Sequence, residues 1–295
     1  MSIIKSLSVG NGDMFYIKHV SDSFSIIDCC LNEANKKDVV HELKILSHDK
    51  GVTRFISTHP DDDHIRGLQY LNQEMPVRNF YCVENNATKA DKTDDFKEYC
   101  KLRDGEKSFL LHKGCNRNWM NQSNHERGSA GITILWPVVD NEHYKQALRE
   151  AACGGSPNNI SPIIKYSLES GVKALWMGDL ETDFMEDITD SVSLGEIDIL
   201  FAPHHGRDSG KVPKSWLDQL KPKIIVIGEA PSNHLNYYSG FNTIKQNSAG
   251  DILFECVKHA VHIYVSEKSY EEIFLEYDCC QPYKHSLYYL GTLEL

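Results

Sequence analysis

The feature that most constrains this chain is a cluster of metal-binding side-chain types directly after an apolar segment. Residues 52–57 have the composition of a β-strand, and His-Pro-Asp-Asp-Asp-His follows at positions 59–64. Imidazole nitrogens and carboxylate oxygens are good ligands for zinc, manganese or iron. Such side chains can converge only where the chain turns sharply, and Pro60 interrupts strand pairing at this point. We therefore favour a metal site, and a solvated acidic turn is the alternative.

Two further apolar segments run into ligand-type residues, which are Gly178-Asp179 after residues 174–177 and His204-His205-Gly206 after residues 197–201. A carboxylate at a strand end can bridge two metal ions, and Gly178 permits close approach of the backbone. Asp179 is also compatible with the N-cap of a following helix. Adjacent histidines point in different directions, so one of His204 and His205 can bind metal while the other faces a substrate.

Apolar segments separated by turn-forming residues predict a mixture of strands and helices. The predicted strands lie at residues 3–7, 14–17, 24–27, 52–57, 79–83, 131–136, 161–168, 172–177, 197–201, 224–227, 252–256 and 261–265. Helical spacing predicts helices at residues 36–46, 65–71 and 141–152, with the acidic motif in a loop before the second of them. Strand pairs with helices in both halves of the chain fit two sheets packed face to face with helices outside. We therefore predict an α/β fold, a four-layer αββα sandwich of two mixed sheets.

The chain is predicted to form a single domain over residues 1–295, since no segment has the composition of a linker. Residues 85–127 are polar and rich in Asn, Lys and Asp, and we interpret them as an insertion of loops with a short helix near residues 96–102. The tail at residues 279–295 shows no assignable pattern.

Composition limits the classes of protein and partner. The chain carries 31 basic and 42 acidic residues, a formal net charge of −11, so most of its surface repels a nucleic-acid backbone unless a local basic rim forms. The 9 cysteines are odd in number and include no CxxC pair, which disfavours a disulfide framework or a zinc knuckle. No signal peptide and no stretch of about 18 apolar residues is evident. We expect a cytoplasmic protein without a membrane span.

The order of these motifs resembles that of the metallo-β-lactamase superfamily. The matching residues are Gly10-Asn11-Gly12-Asp13, Ile27-Asp28, His59-x-Asp61-x-Asp63-His64, Gly178-Asp179 and His204-His205-Gly206. The chain looks most similar to the branch that contains the hydrolase domain of the DNA-uptake protein ComEC, which carries HxDxDH where many relatives carry HxHxDH. That branch also has an Asn-x-Ser stretch, matched by Asn159-Ile160-Ser161. The resemblance covers about residues 7–265 and is more specific for fold than for substrate.

The resemblance implies the metallo-β-lactamase fold and a site for two divalent metal ions, Zn²⁺ or Mn²⁺. The implied ligands are His59 and Asp61 for the first ion, Asp63 and His64 for the second, Asp179 for both, and His204 or His205 to complete the second site. Asp28, at a strand end, would orient one of the metal ligands.

The chain departs from the family pattern at the first of these metal positions. Many relatives supply a further histidine to it between the acidic motif and the bridging aspartate. Here His112, His125 and His143 lie in no matching context, and Asn159 or Ser161 is closer to the expected position. The first site is therefore expected to be weaker, or more open to water, than the second.

The resemblance implies a metal-dependent hydrolase. We favour a phosphodiesterase or nuclease that acts on nucleic acid or a small nucleotide through a metal-activated hydroxide, because oxygen-rich ligand sets suit phosphate chemistry. The acidic net charge favours a short or single-stranded substrate over long duplex DNA. The candidate catalytic residues are Asp63, His204, His205 and His234. His234, or the histidine of the 204–205 pair that does not bind metal, could protonate a leaving alkoxide.

Two alternative functions stay open. One is hydrolysis of a lactone, thioester or β-lactam. The other is a non-catalytic, metal-stabilised effector or interaction module in a multi-protein bacterial system, with residues 85–127 and 279–295 as candidate surfaces for a protein partner.

Overall fold

A computed structural model describes residues 1–278 and 283–295. The strands are β1 (Ser2–Ser6), β2 (Phe15–Lys18), β3 (Ser23–Ile27), β4 (Cys29–Cys30), β5 (Val52–Ile56), β6 (Phe80–Cys82), β7 (Ser108–Leu110), β8 (Ile132–Trp136), β9 (Ile163–Ser167), β10 (Lys173–Trp176), β11 (Ile199–Phe201), β12 (Ile224–Ile227), β13 (Thr243–Lys245), β14 (Ile252–Val257), β15 (Ala260–Val265) and β16 (Tyr288–Glu294). The helices are α1 (Lys36–Ser47), α2 (Asp62–Ile65), α3 (Leu68–Glu74), α4 (Asp94–Arg103), α5 (Glu142–Ala152), α6 (Thr182–Asp187), α7 (Lys214–Leu220) and α8 (Gln246–Ala249).

Of the sixteen strands in the described residues, fifteen form two mixed sheets, and β4 makes only isolated bridges to Ile65 and Arg66. The larger has the order β16-β15-β14-β1-β2-β3-β5-β6-β7, and the smaller has the order β13-β12-β11-β10-β9-β8. In the larger sheet β3, β5, β6 and β7 run parallel, while β1 pairs antiparallel with β2 and β14. In the smaller sheet β10, β11, β12 and β13 run parallel, while β8, β9 and β10 are antiparallel. Each sheet therefore contains a parallel half whose strands end at a common edge.

Aromatic side chains join the two sheets face to face. Phe15 of β2 meets Phe201 of β11 edge-on, with ring centroids 5.0 Å apart. Phe201 stacks on Trp176 of β10 at 4.6 Å and contacts Phe254 of β14 at 5.9 Å. Burial of such rings between sheets stabilises the fold by about 25 cal/mol per Å² of apolar surface removed from water. The two sheets consequently share one apolar core.

Helices cover the outer faces. A second buried core lies between the larger sheet and helices α1, α3 and α4, and its members include Tyr16, Phe24, Val40, Leu43, Leu71 and Phe96. Helices α5 and α7 contribute Tyr144 and Trp216 to the core shared by the sheets. Within the described residues, no helix is both long enough and apolar enough to cross a membrane.

The architecture confirms the prediction of an α/β fold with two mixed sheets and several helices. Each of the predicted strands is present, and helices α1, α4 and α5 lie where the sequence places them. The prediction of a loop over the acidic motif is wrong, because the chain forms helix α2 there. The single helix predicted at residues 65–71 is interrupted at Gly67, whose φ of 79° lies in the left-handed region.

The elements that escaped the sequence analysis are the strands β4, β7, β13 and β16 and the helices α7 and α8. Strand β7 lies inside the polar insertion, β13 follows the 232–234 turn, and β16 lies in the tail. Strand β16 pairs antiparallel with β15 at one edge of the larger sheet, whereas residues 279–282 of the tail lie outside the described residues. Helix α7 is seven residues long and buries Trp216, Leu217 and Leu220. These elements are formed by pairing and packing against preformed neighbours, which local pattern does not report.

Candidate metal centre

The residues singled out at strand ends meet at one edge of the paired sheets. Asp28 follows β3 and His59 follows β5, and these two strands are parallel neighbours in the larger sheet. Asp179 follows β10 and His204 follows β11, which are parallel neighbours in the smaller sheet. The carboxyl ends of parallel strands are where α/β proteins commonly place their sites. Face-to-face packing therefore brings the motifs from both sheets together.

Helix α2 gives the acidic motif its local shape. Asp61 occupies the N-cap, and its backbone carbonyl accepts from the N–H groups of His64 at 2.9 Å and Ile65 at 3.0 Å. Carboxylates in the first turn of a helix are favoured by the unpaired N–H groups there. This explains why three consecutive aspartates form a turn of helix after Pro60. The turn also directs His64 inward and leaves Asp62 outside.

The carboxylate of Asp179 is the centre of the cluster. His64 Nε2 lies 3.0 Å from Asp179 Oδ1. The Nε2 atoms of three more histidines lie near Asp179 Oδ2, and these are His204 at 3.7 Å, His205 at 3.7 Å and His59 at 3.8 Å. Asp179, His59, His64 and His205 are almost completely buried. Four imidazole nitrogens from both sheets therefore converge on one buried carboxylate.

The two acidic ligand candidates of the HxDxDH motif lie on opposite sides of this centre. Asp61 Oδ2 is 3.8 Å from His59 Nε2, and Asp63 Oδ2 is 3.3 Å from His205 Nε2. Their side chains are 29% and 24% exposed, respectively, so both stand at the rim. The structure thus places His59 beside Asp61 and His205 beside Asp63. His64 belongs with His205, because the ligand atoms of these two histidines group with those of Asp13 and Asp179, and we call the two sides the Asp61 half and the Asp63 half.

His204 and His205 reach the site because the backbone is left-handed at both residues. Their φ angles are 53° and 56°, followed by 80° at Gly206. The His204 N–H donates to the carbonyl of Gly178 at 3.0 Å, which ties this turn to the end of β10. A Cβ atom at Gly206 would lie 2.7 Å from Ile227 Cγ2, so glycine is required there.

Of the two histidines, His205 is the buried one and faces the Asp63 half. The side chain of His204 is 14% exposed, and its Nδ1 is 2.9 Å from the Ser209 hydroxyl. The geometry therefore favours His205 as the ligand on the Asp63 side and leaves His204 accessible from the rim.

Asp13 is a site residue to which the sequence analysis gave no role. Its Oδ1 lies 3.0 Å from His205 Nδ1, and its backbone N–H donates to the Asp63 carbonyl. Asp13, His64, Asp179 and His205 can each offer one ligand atom such that all these atoms lie within 4.8 Å of one another. The signal available in the sequence was the position of Asp13 directly after the turn at Gly12.

Asp28 and Thr58 support His64 from behind. The buried Asp28 carboxylate accepts from His64 Nδ1 at 2.9 Å and from the Thr58 hydroxyl at 2.6 Å. The Thr58 N–H donates to the other Asp28 oxygen at 2.8 Å. Because a carboxylate only accepts, the proton of His64 is held at Nδ1 and Nε2 is directed toward Asp179. This is the arrangement that a metal-binding histidine requires.

Ser161 performs a similar role for His59. Its hydroxyl lies 3.2 Å from His59 Nδ1 and accepts from the Asp179 N–H at 3.2 Å. Asn159 instead exchanges two hydrogen bonds with Glu181, each 3.0 Å long. Both residues are therefore engaged, Ser161 behind a candidate ligand and Asn159 at the start of α6.

Gly178 permits this close approach of chain segments. Its φ of 52° is left-handed, and a Cβ atom there would lie 2.6 Å from Ser161 Oγ and 2.8 Å from Thr58 Cβ. Such contacts are shorter than van der Waals distance, so any side chain would push apart the two segments that support His59 and His64.

The carboxylates of the cluster raise the pKa values of two of its histidines. Burial opposes protonation of His64, but the carboxylates of Asp179 and Asp28 outweigh it and hold the pKa of His64 well above its usual value. Burial likewise opposes protonation of His205, and Asp13 and Asp179 raise its pKa to about 10. His64 and His205 therefore hold a proton firmly, and a metal cation that binds them has to replace that proton.

The donor atoms fit a divalent cation. Within residues 1–278 and 283–295, His59 Nε2, His64 Nε2 and Asp179 Oδ1 are buried without a partner in hydrogen-bond geometry. Buried polar atoms are usually paired, and leaving one unpaired is costly. Here the unpaired atoms point toward one another with the nitrogen and oxygen chemistry that zinc and manganese prefer.

Not all candidate residues join the cluster. His234 is exposed on the 232–234 turn, where its Nε2 lies 3.2 Å from Asn233 Nδ2. Its loop runs beside the histidine turn, since the Asn236 N–H donates to the Gly206 carbonyl at 2.8 Å. The remaining histidines considered for the first site, His112, His125 and His143, are exposed.

No protein-family model matches the chain, and no curated protein is significantly similar to it.

Proposed function

We propose that the chain is a metal-dependent hydrolase of the metallo-β-lactamase fold, acting on a phosphodiester in a short nucleic acid or a small nucleotide. The observation that carries the proposal is the approach of four histidine Nε2 atoms to within 3.0–3.8 Å of the Asp179 carboxylate. Two facing mixed sheets with helices outside are compatible with the αββα arrangement of that fold. The motif order of the sequence supports the same assignment.

The residues that would hold divalent cations are those whose donor atoms converge. His64, His205, Asp63 and Asp179 would bind one ion, Zn²⁺ or Mn²⁺, and His59, Asp61 and Asp179 would bind the other. Bound divalent ions lower the pKa of water and stabilise negative charge on the oxygens of a reacting phosphate. The contacts behind His59 and His64 would keep their Nε2 atoms aimed inward without rearrangement.

His204 is the residue we assign to proton transfer. It is the histidine of the cluster with an exposed edge, so a substrate can reach it. Burial lowers the pKa of His204, although Asp179 partly opposes the effect. The imidazole is consequently neutral at pH 7, and its Nε2 can take up a proton before passing one to the leaving oxygen. Ser209 holds the ring through Nδ1.

The rim of the site suits a small anionic substrate. Arg207 follows the histidine turn directly, and its Nη2 donates to Asn11 Oδ1 at 2.6 Å. Lys89 approaches from the opposite side and contacts Asp61. The chain as a whole carries a net charge of −11, which opposes the many phosphate contacts that long duplex DNA makes. A substrate with one or a few phosphates fits these charges best.

The proposal is tested by hydrolysis assays with Zn²⁺ or Mn²⁺ added. We expect turnover of bis-p-nitrophenyl phosphate, with much weaker turnover of a chromogenic β-lactam or thioester. Asp63→Ala should lose the activity. Asp62→Ala is the matched control, because Asp62 belongs to the same motif but is exposed and contacts only Lys89 among the described ion pairs. Preferential turnover of the lactam or thioester would replace the phosphodiester assignment.

A partner-binding role is the second candidate, and one surface feature favours it. Ile273 is fully exposed, and the side chains of Tyr277 and Tyr283 are also largely exposed on either side of residues 279–282. Exposed aromatic and aliphatic groups of this kind mark interaction surfaces in many proteins. A metal-stabilised effector module would retain its biological activity in the Asp63→Ala variant, whereas a hydrolase would not.

A further inference from the structure

Lys89 contacts the candidate metal site, although it is not one of the candidate ligands. Its Nζ lies 2.8 Å from Asp61 Oδ1 and 3.4 Å from Asp62 Oδ1. The ammonium also lies 5.8 Å from the ring centroid of Phe96, at the first turn of α4. The side chain is 21% exposed, so it lies against the protein rather than extending into solvent. A lysine from the polar insertion thus contacts a predicted metal ligand directly.

The two halves of the site differ in charge as a result. The Asp61 half has one rim carboxylate, and an ammonium already neutralises it. The other half has Asp63 and also Asp13, both in contact with His205. Among the described ion pairs, no lysine or arginine contacts Asp63 or Asp13. Asp179 is common to both halves.

A cation bound through Asp61 would share that carboxylate with the Lys89 ammonium. Like charges a few ångströms apart repel each other even in water, and the repulsion is stronger where water is excluded. His59 is the only imidazole within 4.0 Å of Asp61 among the described ion pairs. The Asp61 half therefore offers fewer donors and a less favourable field than the Asp63 half.

We propose that Lys89 acts as a resident cation of the Asp61 half, so that the chain binds one divalent ion tightly, in the Asp63 half, and a second only weakly. This inference rests on the proposed function in one respect, namely that the cluster binds divalent cations. It goes beyond that proposal, and beyond the weaker first site expected from the missing histidine, by assigning the inequality to a residue outside every motif.

Cation titration of the purified chain tests this directly. Stripped protein is titrated with Mn²⁺, and bound ions are counted by mass spectrometry of the metal and by paramagnetic resonance of free Mn²⁺. We expect one tight ion per chain in the unaltered protein. Lys89→Met should strengthen the second ion by about tenfold or more, which is the effect of removing roughly one like-charge repulsion. Lys89→Arg, which keeps the charge, should behave as the unaltered protein.

Lys97→Met is the matched control, since Lys97 forms a 2.8 Å pair with Asp94 in the same segment and stands away from the cluster. Two tight ions in the unaltered protein would overturn the inference. So would one tight ion in both the unaltered and the Lys89→Met proteins, especially with a raised KM, because that result would make Lys89 a substrate contact. Ion counting does not depend on turnover, so these outcomes stay informative even if the phosphodiester assay fails.

Discussion

Strand β5 connects two buried polar clusters that differ in kind. Within the strand, the fully buried Arg54 donates to Ser25 Oγ at 3.0 Å and to the Trp119 carbonyl at 2.8 Å. Just beyond the strand, the equally buried His59 directs its Nε2 toward Asp179. Both clusters remove ionisable groups from water, which is costly unless the groups are paired. They meet that cost differently.

In the Arg54 cluster, the groups that accept from Arg54 also have other hydrogen-bond partners. Ser25 Oγ is also 2.8 Å from His19 Nε2, and the Trp119 carbonyl also accepts from the Ala130 N–H at 3.1 Å. The cluster has no carboxylate among these contacts, and burial together with Arg54 keeps the pKa of His19 well below its usual value. A positively charged group surrounded by neutral ones holds the insertion against the sheet and cannot attract a metal cation.

In the Asp179 cluster the free atoms have no alternative partner in the described residues. His64 and His59 each use Nδ1 for a supporting hydrogen bond and leave Nε2 aimed at the shared carboxylate. The contrast teaches that burial alone does not identify a site. A site is indicated where unpaired nitrogen and oxygen atoms that suit a metal ion point toward one another.

The largest expected effect is that of Asp179→Asn. The amide keeps the shape of the side chain but removes the charge common to both cation positions. We expect loss of tight cation binding and a fall in hydrolysis on the order of a thousandfold, since metal charge stabilisation contributes several kcal/mol. Asp183→Asn, at an exposed position in α6, is the control. Unchanged ion content in Asp179→Asn would show that the convergence around Asp179 has no role in binding.

Acid should weaken cation binding steeply. The raised pKa values of His64 and His205 mean that both are protonated near pH 7 in stripped protein, and each must lose a proton to bind a metal. The affinity should therefore rise with pH by up to about a hundredfold per unit, tenfold for each proton released. Calorimetry in buffers of different ionisation enthalpy measures the released protons. Binding without proton release would contradict the pairing of these imidazoles with carboxylates.

Asp28→Asn should have a smaller effect. An asparagine at this position can present its NH₂ group to His64 Nδ1, which moves the ring proton to Nε2 and blocks the metal-facing nitrogen. Loss of such a supporting partner typically lowers metal affinity about 10- to 100-fold. Asp38→Asn, exposed on α1, should leave the affinity unchanged. Equal affinities in the two variants would mean that Asp28 supports the fold and not the site.

Most strands, and the convergence of the candidate ligands, were predictable because local pattern controls them. The motif at residues 59–64 combines an apolar strand with a break at Pro60, and both signals lie within a few residues. The roles of Asp13 and Lys89 were not predictable in this way. Asp13 meets His205 only because the two sheets pack face to face. Lys89 lies in a polar segment without periodicity, and its pairing with Asp61 depends on how that segment folds back.

The choice between His204 and His205 shows the same limit. Adjacent residues of one type are equivalent in sequence, and the left-handed backbone at both positions decides which ring is buried. Non-glycine residues seldom adopt that conformation, so the sequence His-His-Gly does not predict it at the two histidines. The acidic motif was assigned to a loop for a related reason, because three adjacent aspartates are unusual in a helix except within its first turn.

The smallest expected effect is that of Arg54→Met. The substitution removes hydrogen bonds from a charged donor, each worth about 1.5–3 kcal/mol, but it also removes the several kcal/mol spent on burying a guanidinium. Ser25 keeps His19 as a partner, and the Trp119 carbonyl keeps the Ala130 N–H. The Ser25 hydroxyl and the Trp119 carbonyl therefore stay paired, and the free energy of unfolding should change by only about 1 kcal/mol.

Denaturant unfolding of metal-free Arg54→Met protein measures the change in stability, and ion counting on the same variant measures whether the Asp179 cluster still binds metal. The ion content should equal that of the unaltered protein, because the Arg54 cluster shares no contact with Asp179 among the described residues. A loss of stability well above about 3 kcal/mol would mean that the redundancy seen at Ser25 and Trp119 does not compensate for the guanidinium. A loss of bound metal in folded protein would mean that the two clusters on β5 are coupled, and that the strand transmits strain from the insertion to His59.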